Sequence, residues 1–194
     1  TNMPSLRAEV ISIGDEMTSG IRLDTNSQWL SRRLGQLGIE VAFHSTVGDN
    51  LKDNIDVFRH AVNRVEIIIV TGGLGPTADD LTRSAIAQMA DVPLVTHPEI
   101  LTHIRSMFEA RGREMPDNNS IQAEFPLGAF AIPNPEGTAP GIDFQTRSPS
   151  GRECRIIALP GVPVEMKQMW SQSVELSLRK KTGNLSIIHH HTLH

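Results

Sequence analysis

The chain has 194 residues, with 18 basic and 22 acidic side chains, a net charge of −4, no tyrosine and only 4% aromatic residues. That length suits one α/β domain with a sizeable core, while the lack of a basic stripe and of stacking aromatics argues against a nucleic-acid groove. A lone cysteine, Cys154, leaves no intramolecular disulfide, no apolar run approaches the ~18 residues of a membrane span, and the first residues lack a signal-peptide pattern, so a cytoplasmic protein is expected.

In chain order, Ala8 to Ile13 reads as a buried strand ending in the turn Gly14-Asp15-Glu16. After Ser19-Gly20 and Thr25-Asn26, Trp29, Leu30, Leu34 and Leu37 recur at helical spacing, and Gly38 suits the left-handed position that ends a helix. Ile39, Val41 and Phe43 alternate as in a strand, which runs into Val47-Gly48-Asp49-Asn50. Asn50 is placed to cap a helix, with Asp53 at its third position and Ile55, Phe58, Ala61, Val62 and Val65 on its buried face.

The most informative stretch is Glu66 to Thr82. Ile67 to Val70 is an unbroken β-branched run, as expected of a strand buried on both faces. Gly72, Gly73 and Gly75 follow with Pro76 and Thr77; glycines let the backbone turn sharply and let a ligand approach the main chain. Asp79 and Asp80 then lead into Leu81, Ala85, Ile86 and Met89, a helical pattern in which Asp79 could serve as cap. A strand, a glycine-rich turn and a helix start make a place where main-chain N–H groups face an anion. Paired carboxylates fit such a place when a divalent cation lies between them and a phosphate. No lysine follows the glycines, which excludes a Walker loop, and a dinucleotide site is disfavoured by the two aspartates. The alternation of strand and helix predicts a parallel sheet with helices on both faces. Ligands in such sheets bind beyond the carboxyl ends of the strands, where Asp15-Glu16, Asp49 and Asp79-Asp80 all fall.

Further on, Val92 to Val95 reads as a short strand and Thr96-His97-Pro98-Glu99 as a capping box with Thr96 as cap. Ile100, Leu101, Ile104, Met107 and Phe108 form the next stripe, closed by Gly112, and His97 and His103 read as surface residues. Arg113 to Asn119 has no periodicity and reads as a surface loop or a polar lip over the site. Ala129 to Ile132 is a short strand, Pro133 to Gly141 a stiff loop, and Gly141 to Thr146 with Glu153 to Leu159 a hairpin. Pro163 and Glu165 suit the start of a helix whose stripe is Met166, Met169, Trp170, Val174 and Leu178, ending at Gly183. Leu185 to His189 reads as a strand. Residues 5–183 are therefore taken as one domain and 184–194 as the start of a linker or following domain, the alternative being a tail.

Together these motifs resemble the N-terminal domain of the CinA (competence/damage-inducible) family within the molybdopterin-binding superfamily. The resemblance rests on Ile13-Gly14-Asp15-Glu16 with Thr25-Asn26, Val47 to Asn50, Thr71 to Thr77 with Asp79 to Thr82, Gly112 to Pro116 with Asn118-Asn119, and Asn134 to Gly141 with Leu159 to Pro163 and Glu165-Met166. Met17-Thr18 departs from the family's two aliphatic residues. The resemblance implies a three-layer α/β/α fold with a mostly parallel sheet. It implies an enzyme that hydrolyses the pyrophosphate of ADP-ribose to AMP and ribose 5-phosphate with Mg²⁺, Mn²⁺ or Co²⁺, potassium being a further candidate cofactor. Asp80, Asp49 and Glu16 would be catalytic, and Asp15, Glu16, Asp49, Asp79 and Asp80 would hold metal. Gly14, Asn26, Gly72, Gly73, Gly75, Thr77, Asn134, Gly137, Thr138, Gly161 and Glu165 would bind substrate. A homodimer is expected, with a nucleotide or pterin as its small-molecule partner and no nucleic acid or membrane. Two alternatives use the same loop: molybdopterin binding or nucleotidylation, and a module that senses a nucleotide without turnover.

Overall fold

In a computed structural model, which describes residues 5–191 (184–191 as backbone alone), one sheet organises the chain. Its strands are β1 (Arg7–Ile13), β2 (Glu40–Val47), β3 (Ile67–Thr71), β6 (Phe130–Ile132), β7 (Gly141–Arg147) and β8 (Glu153–Leu159), in the order β2-β1-β3-β8-β7-β6. β1 pairs in parallel with β2 and β3, and β3 in parallel with β8; the β7–β8 hairpin and β6 add antiparallel pairs at one side.

All five residues of β3 are buried. The strand repeat of two sends Ile68 and Val70 to one face and Ile67 and Ile69 to the other, so each face has its own core. On the first face α3 (Leu51–Val62) and α4 (Thr82–Ala90) contribute Phe58, Ala61, Val62, Ala85 and Ile86. On the second, α2 (Thr25–Gln36), α6 (Pro163–Met169) and α7 (Glu175–His191) contribute Leu30, Leu34, Met166, Met169 and Leu178. Helices thus cover both faces, as the alternation predicts. Burying each such Leu, Ile, Phe or Met side chain favours the fold by about 1.5–3 kcal/mol. α2 is capped by Asp24, whose carboxylate accepts from the Ser27 N–H at 3.0 Å, and Gly38 follows it with φ +77°. Asn50 caps α3 by accepting from the Asp53 N–H at 3.0 Å, as its position in the sequence suggests. Cys154 is buried, and that burial pushes its thiol up to about 12.

Several expectations are corrected. Gly14-Asp15-Glu16 is not only a turn: Asp15–Thr18 closes one helical turn, α1. Asp79 caps nothing; α4 begins at Thr82 after Leu81, because the Asp80 carboxylate folds back onto Thr77. The predicted capping box fails. Thr96 belongs to β4 (Leu94–Thr96), and α5 (Pro98–Glu109) starts from His97 without a side-chain cap, Pro98 occupying the first turn where no N–H is needed. His97 is not a plain surface residue, since its ring stacks on Phe125 with centroids 4.3 Å apart. The aperiodic region after Gly112 contains a 3₁₀ segment, Asp117–Ala123, that leads into β5 (Glu124–Pro126); β5 pairs antiparallel with β4 in a second, two-stranded sheet. The last helical region is interrupted by a π turn over Trp170–Val174. Gly183 does not end it, and Leu185 to His189 is not a strand: α7 runs through to His191. Gly183 has no positive φ, and one helical glycine costs only about 1 kcal/mol.

Candidate functional site

β1, β2 and β3 end at one edge of the sheet, and the turns that follow them line a cleft of about 640 Å³. Its floor is the segment Gly72 to Thr77. Gly72 has φ +104° and a Cβ there would strike the Ile13 carbonyl; Gly73 has φ +73° and a Cβ there would strike the Thr82 hydroxyl. Gly75 is different. Its φ is not positive; its missing side chain leaves room for the Asp80 carboxylate, 2.6 Å from where a Cβ would stand.

Every carbonyl from Gly72 to Thr77 is held by a donor from the protein. Thr82 Oγ1 donates to Gly72 O at 2.8 Å and Thr82 N to Gly73 O at 3.2 Å. Arg83 donates from Nη2 to Leu74 O and from Nη1 to Gly75 O at 3.2 Å, and Gln122 Nε2 also reaches Leu74 O at 3.4 Å. Asn118 Nδ2 donates to Pro76 O at 3.4 Å and Asp80 N to Thr77 O at 3.1 Å. Among the described residues, the N–H groups of Gly73, Leu74 and Gly75 donate to no acceptor. With the carbonyls fixed inward, these three N–H groups are the polar face left for a ligand, the arrangement that favours an anion.

Arg83, Gln122 and Asn119 make this posture rigid. Arg83 is 4% exposed, and burial lowers its guanidinium to about 10, opposed by the nearby Asp80 and Glu124 carboxylates. It stays charged at neutral pH. Asn119 Nδ2 donates to Gln122 Oε1 at 2.9 Å, so the expected polar lip is in part a buried strut under the loop. Arg83 and Gln122 belong to none of the sequence motifs. Arg83 does carry a signal, since Ile86 and Ala87 lie three and four residues on and are buried on the same helix face.

The carboxylates gather beside this floor in different roles. Asp80 Oδ2 accepts from Thr77 N at 2.9 Å and Thr77 Oγ1 at 2.7 Å. Asp15 and Asp49 brace each other: Asp49 N donates to Asp15 Oδ1 at 2.9 Å and Asp15 N to Asp49 Oδ2 at 3.3 Å. Glu16, Asp49, Asp79 and Asp80 line the cleft, whereas Asp15 does not. Asp49 is raised above the usual carboxylate range by burial, with the Asp15, Glu16 and Asp79 charges adding to it and the Asp15 N–H opposing it. Among the described residues no three His, Cys, Asp or Glu side chains converge tightly enough to hold a metal ion by themselves.

Of the other expected residues, Gly14, Asn26, Thr138, Gly161 and Glu165 line the cleft; Asn134 and Gly137 do not. A Cβ on Gly14 would come within 2.5 Å of the Glu16 carboxylate. Asn26 Nδ2 donates to Gly161 O at 2.8 Å and Thr71 Oγ1 at 3.1 Å, tying α2 to the floor, while its buried Oδ1 has no donor among the described residues. Asn134 is committed to its own loop. Its Oδ1 accepts from the Glu136 and Gly137 N–H groups at 3.0 and 3.1 Å, and its Nδ2 donates to Ala139 O at 2.9 Å and Glu165 Oε1 at 2.7 Å. Asn134 therefore positions Glu165, and Gly137 leaves space for that carboxylate.

The sequence model of one family, described as probable molybdopterin binding domain, matches residues 9–180. A CinA-like protein of Gloeothece citriformis is 44% identical over 184 residues, 95% of this chain and 43% of that protein. The chain thus spans less than half the length of the curated relatives it matches. Among solved structures, the protein CinA from Thermoplasma acidophilum, of unknown function, superposes with a TM-score of 0.79 at 29% identity, over 90% of this chain and 98% of that one. The molybdopterin biosynthesis enzyme MoaB from Thermus thermophilus shares the fold, with a TM-score of 0.59 at 21% identity over 92% and 97% of the two chains. From the match over residues 9–180, the chain belongs to the probable molybdopterin-binding domain family, and along most of its length it is similar to CinA-like proteins.

Proposed function

We propose that the cleft binds a small phosphorylated ligand of the molybdopterin class. Its phosphate would lie on the Gly73, Leu74 and Gly75 N–H groups, and its pterin would lie towards Asn26, Thr138 and Glu165. One observation carries this reading: the carbonyls of Gly72 to Thr77 are all engaged by protein donors, while the N–H groups of Gly73, Leu74 and Gly75, three residues that line the cleft, have no acceptor among the described residues. Family membership supports the pterin part. The orphaned Asn26 Oδ1 and the Glu165 carboxylate suit the ring N–H and amino donors of a pterin. Titrating the protein with a fluorescent 6-substituted pterin phosphate tests it. Saturable binding that is lost when the phosphate is removed is the expected result. No binding of the phosphate ester would refute the reading.

A second reading, metal-dependent hydrolysis of ADP-ribose to AMP and ribose 5-phosphate, is favoured by the crowding of Glu16, Asp49 and Asp79 beside the same loop. Hard oxygen donors suit Mg²⁺, Mn²⁺ or Co²⁺. The small number of converging side chains fits an ion held by one or two carboxylates, waters and substrate phosphates. Asp49 and Glu16, with Asp79, would hold it; such an ion neutralises phosphate charge and acidifies a bound water. Asp80 would orient the loop through Oδ2 and leave Oδ1 free to accept a proton from water. Incubation with ADP-ribose and each metal separates the readings. AMP release favours hydrolysis, and nucleotide binding without AMP favours a sensing module.

A further inference from the structure

The segment between α1 and α2 carries the one arginine, lysine or histidine that lines the cleft among the described residues, Arg22. Five carboxylates, Glu16, Asp49, Asp79, Asp80 and Glu165, line the same cleft, yet Arg22 forms no ion pair within 4.0 Å with any of them or with any other described residue. An arginine in acidic surroundings that satisfies none of its five donors inside the protein is available to a ligand. Its segment is also fixed. Gly20 turns the chain with φ +77°, the Arg22 N–H donates to Glu16 O at 3.1 Å, and Asp24 anchors the far end by accepting from Ser27 N at 3.0 Å and Ser27 Oγ at 2.6 Å. The two neighbours, Ile21 and Leu23, are 85% and 83% exposed. Neither contributes to the core, so packing of these side chains does not account for the segment's shape. The backbone bond to Glu16 couples Arg22 to the acidic wall of the site.

The geometry points to Arg22 as the second anion anchor of the cleft, selecting ligands with two anionic centres, such as a pyrophosphate or a phosphate ester bearing a second anion, over simple monophosphates. The first centre lies on the Gly73–Gly75 N–H groups and the second takes the planar guanidinium, which holds phosphate oxygens two at a time. This inference rests on the phosphate-loop reading above and deepens it by naming the ligand's charge pattern.

The test compares methylenediphosphonate, which cannot be hydrolysed, with methylphosphonate, by ³¹P NMR titration at fixed free Mg²⁺. The wild type is expected to bind the diphosphonate at least ~10-fold more tightly. Arg22→Gln should lose about 10-fold for the diphosphonate and less than about twofold for the monophosphonate, with Arg22→Lys between them because it keeps charge without the fork. Arg22 is exposed, so an unchanged melting temperature should confirm that these variants fold. Equal losses for both probes, or none for either, would overturn the role of Arg22 while leaving the loop standing. A wild type that binds neither probe would overturn the loop reading and this assignment with it.

Discussion

Replacing Arg83 by methionine isolates what the glycine-rich loop needs. The guanidinium is buried under the loop and holds the Leu74 and Gly75 carbonyls. Methionine keeps apolar bulk and removes both donors. Leu74 O retains the long contact from Gln122, but Gly75 O loses the donor it has among the described residues. A buried polar group left without a partner costs about 1–3 kcal/mol, so the orphaned Gly75 carbonyl sets a loss of roughly 1–3 kcal/mol, Leu74 O being still engaged by Gln122. Against this stands the cost of burying the charge. A fall from 12.5 to about 10 corresponds to roughly 3 kcal/mol at 1.36 kcal/mol per unit. At neutral pH the group is charged in both folded and unfolded states, so methionine recovers that cost in full. The two nearly offset, and urea unfolding should show a net change of no more than about 2 kcal/mol in either direction. The loop should respond differently. Once its carbonyls are released, its N–H groups are no longer held outward, and affinity for a phosphorylated ligand should fall by ~10-fold or more. Wild-type affinity in Arg83→Met would refute the claim that Arg83 sets the loop's posture, and a stability loss beyond ~5 kcal/mol would show that the residue acts through the core instead.

Gly75→Val should abolish binding of a pterin phosphate while retaining the fold, because its side chain would displace the Asp80 carboxylate from Thr77; isothermal titration with unchanged affinity would count against the site. Asp80→Asn keeps the shape and removes the charge, and under the hydrolytic reading AMP release from ADP-ribose should drop by ~100-fold or more in a chromatographic assay. Asp49 has a raised folded value, so the stability that goes with its protonated form is complete below the unfolded value of 3.8 and is lost as pH rises through the folded one. At neutral pH in cation-free buffer, Asp49→Asn should therefore melt at a higher temperature than wild type, and added Mg²⁺ should narrow the gap; a lower melting temperature would contradict the crowded-carboxylate picture.

Much of this fold is legible in the sequence because its signals are periodic. The Ile67 to Val70 run can be buried only on two faces, and it is the strand on which both cores meet. The stripe from Met166 to Leu178 is fully sequestered despite a π turn in its midst, since side-chain spacing survives a local change in backbone hydrogen bonding. What escaped the sequence is tertiary in origin. Asp79 and Asp80 look like a helix start from their neighbours, and only the room left by Gly75 lets Asp80 turn back to Thr77. Asn134 looks like a ligand contact, but four hydrogen bonds commit it to the loop and to Glu165. Glu9, fully buried in β1, stands in no motif; Arg64 grips it at 2.8 and 3.0 Å and Ser45 at 2.6 Å, towards the start of a strand whose other end leads to the cleft. Pairing of that kind leaves no periodic trace.

The two halves of the cleft have opposite electrostatic needs. The loop offers N–H groups that stabilise negative charge, while the wall beside it concentrates Glu16, Asp49 and Asp79 so closely that their charges help to raise Asp49. Packing does not require this. Asp49 is joined to Asp15 through backbone N–H groups, a brace that an asparagine could make equally well without the repulsion. A set of like charges that opposes folding persists where something bound offsets it. If the metal reading proposed above holds, positive charge would arrive with, or before, the anion that the loop receives. A cation shared between the acidic wall and the ligand's phosphate would satisfy both halves at once, with Arg22, tied to Glu16 through its N–H, as the fixed positive charge for the ligand's other end. On this account cation and ligand bind cooperatively. The phosphorylated ligand should bind at least ~10-fold more weakly in EDTA than in Mg²⁺, and Asp49→Asn should reduce that ratio towards one. Metal-independent affinity in the wild type would show instead that the acidic wall and the glycine-rich loop serve separate ends.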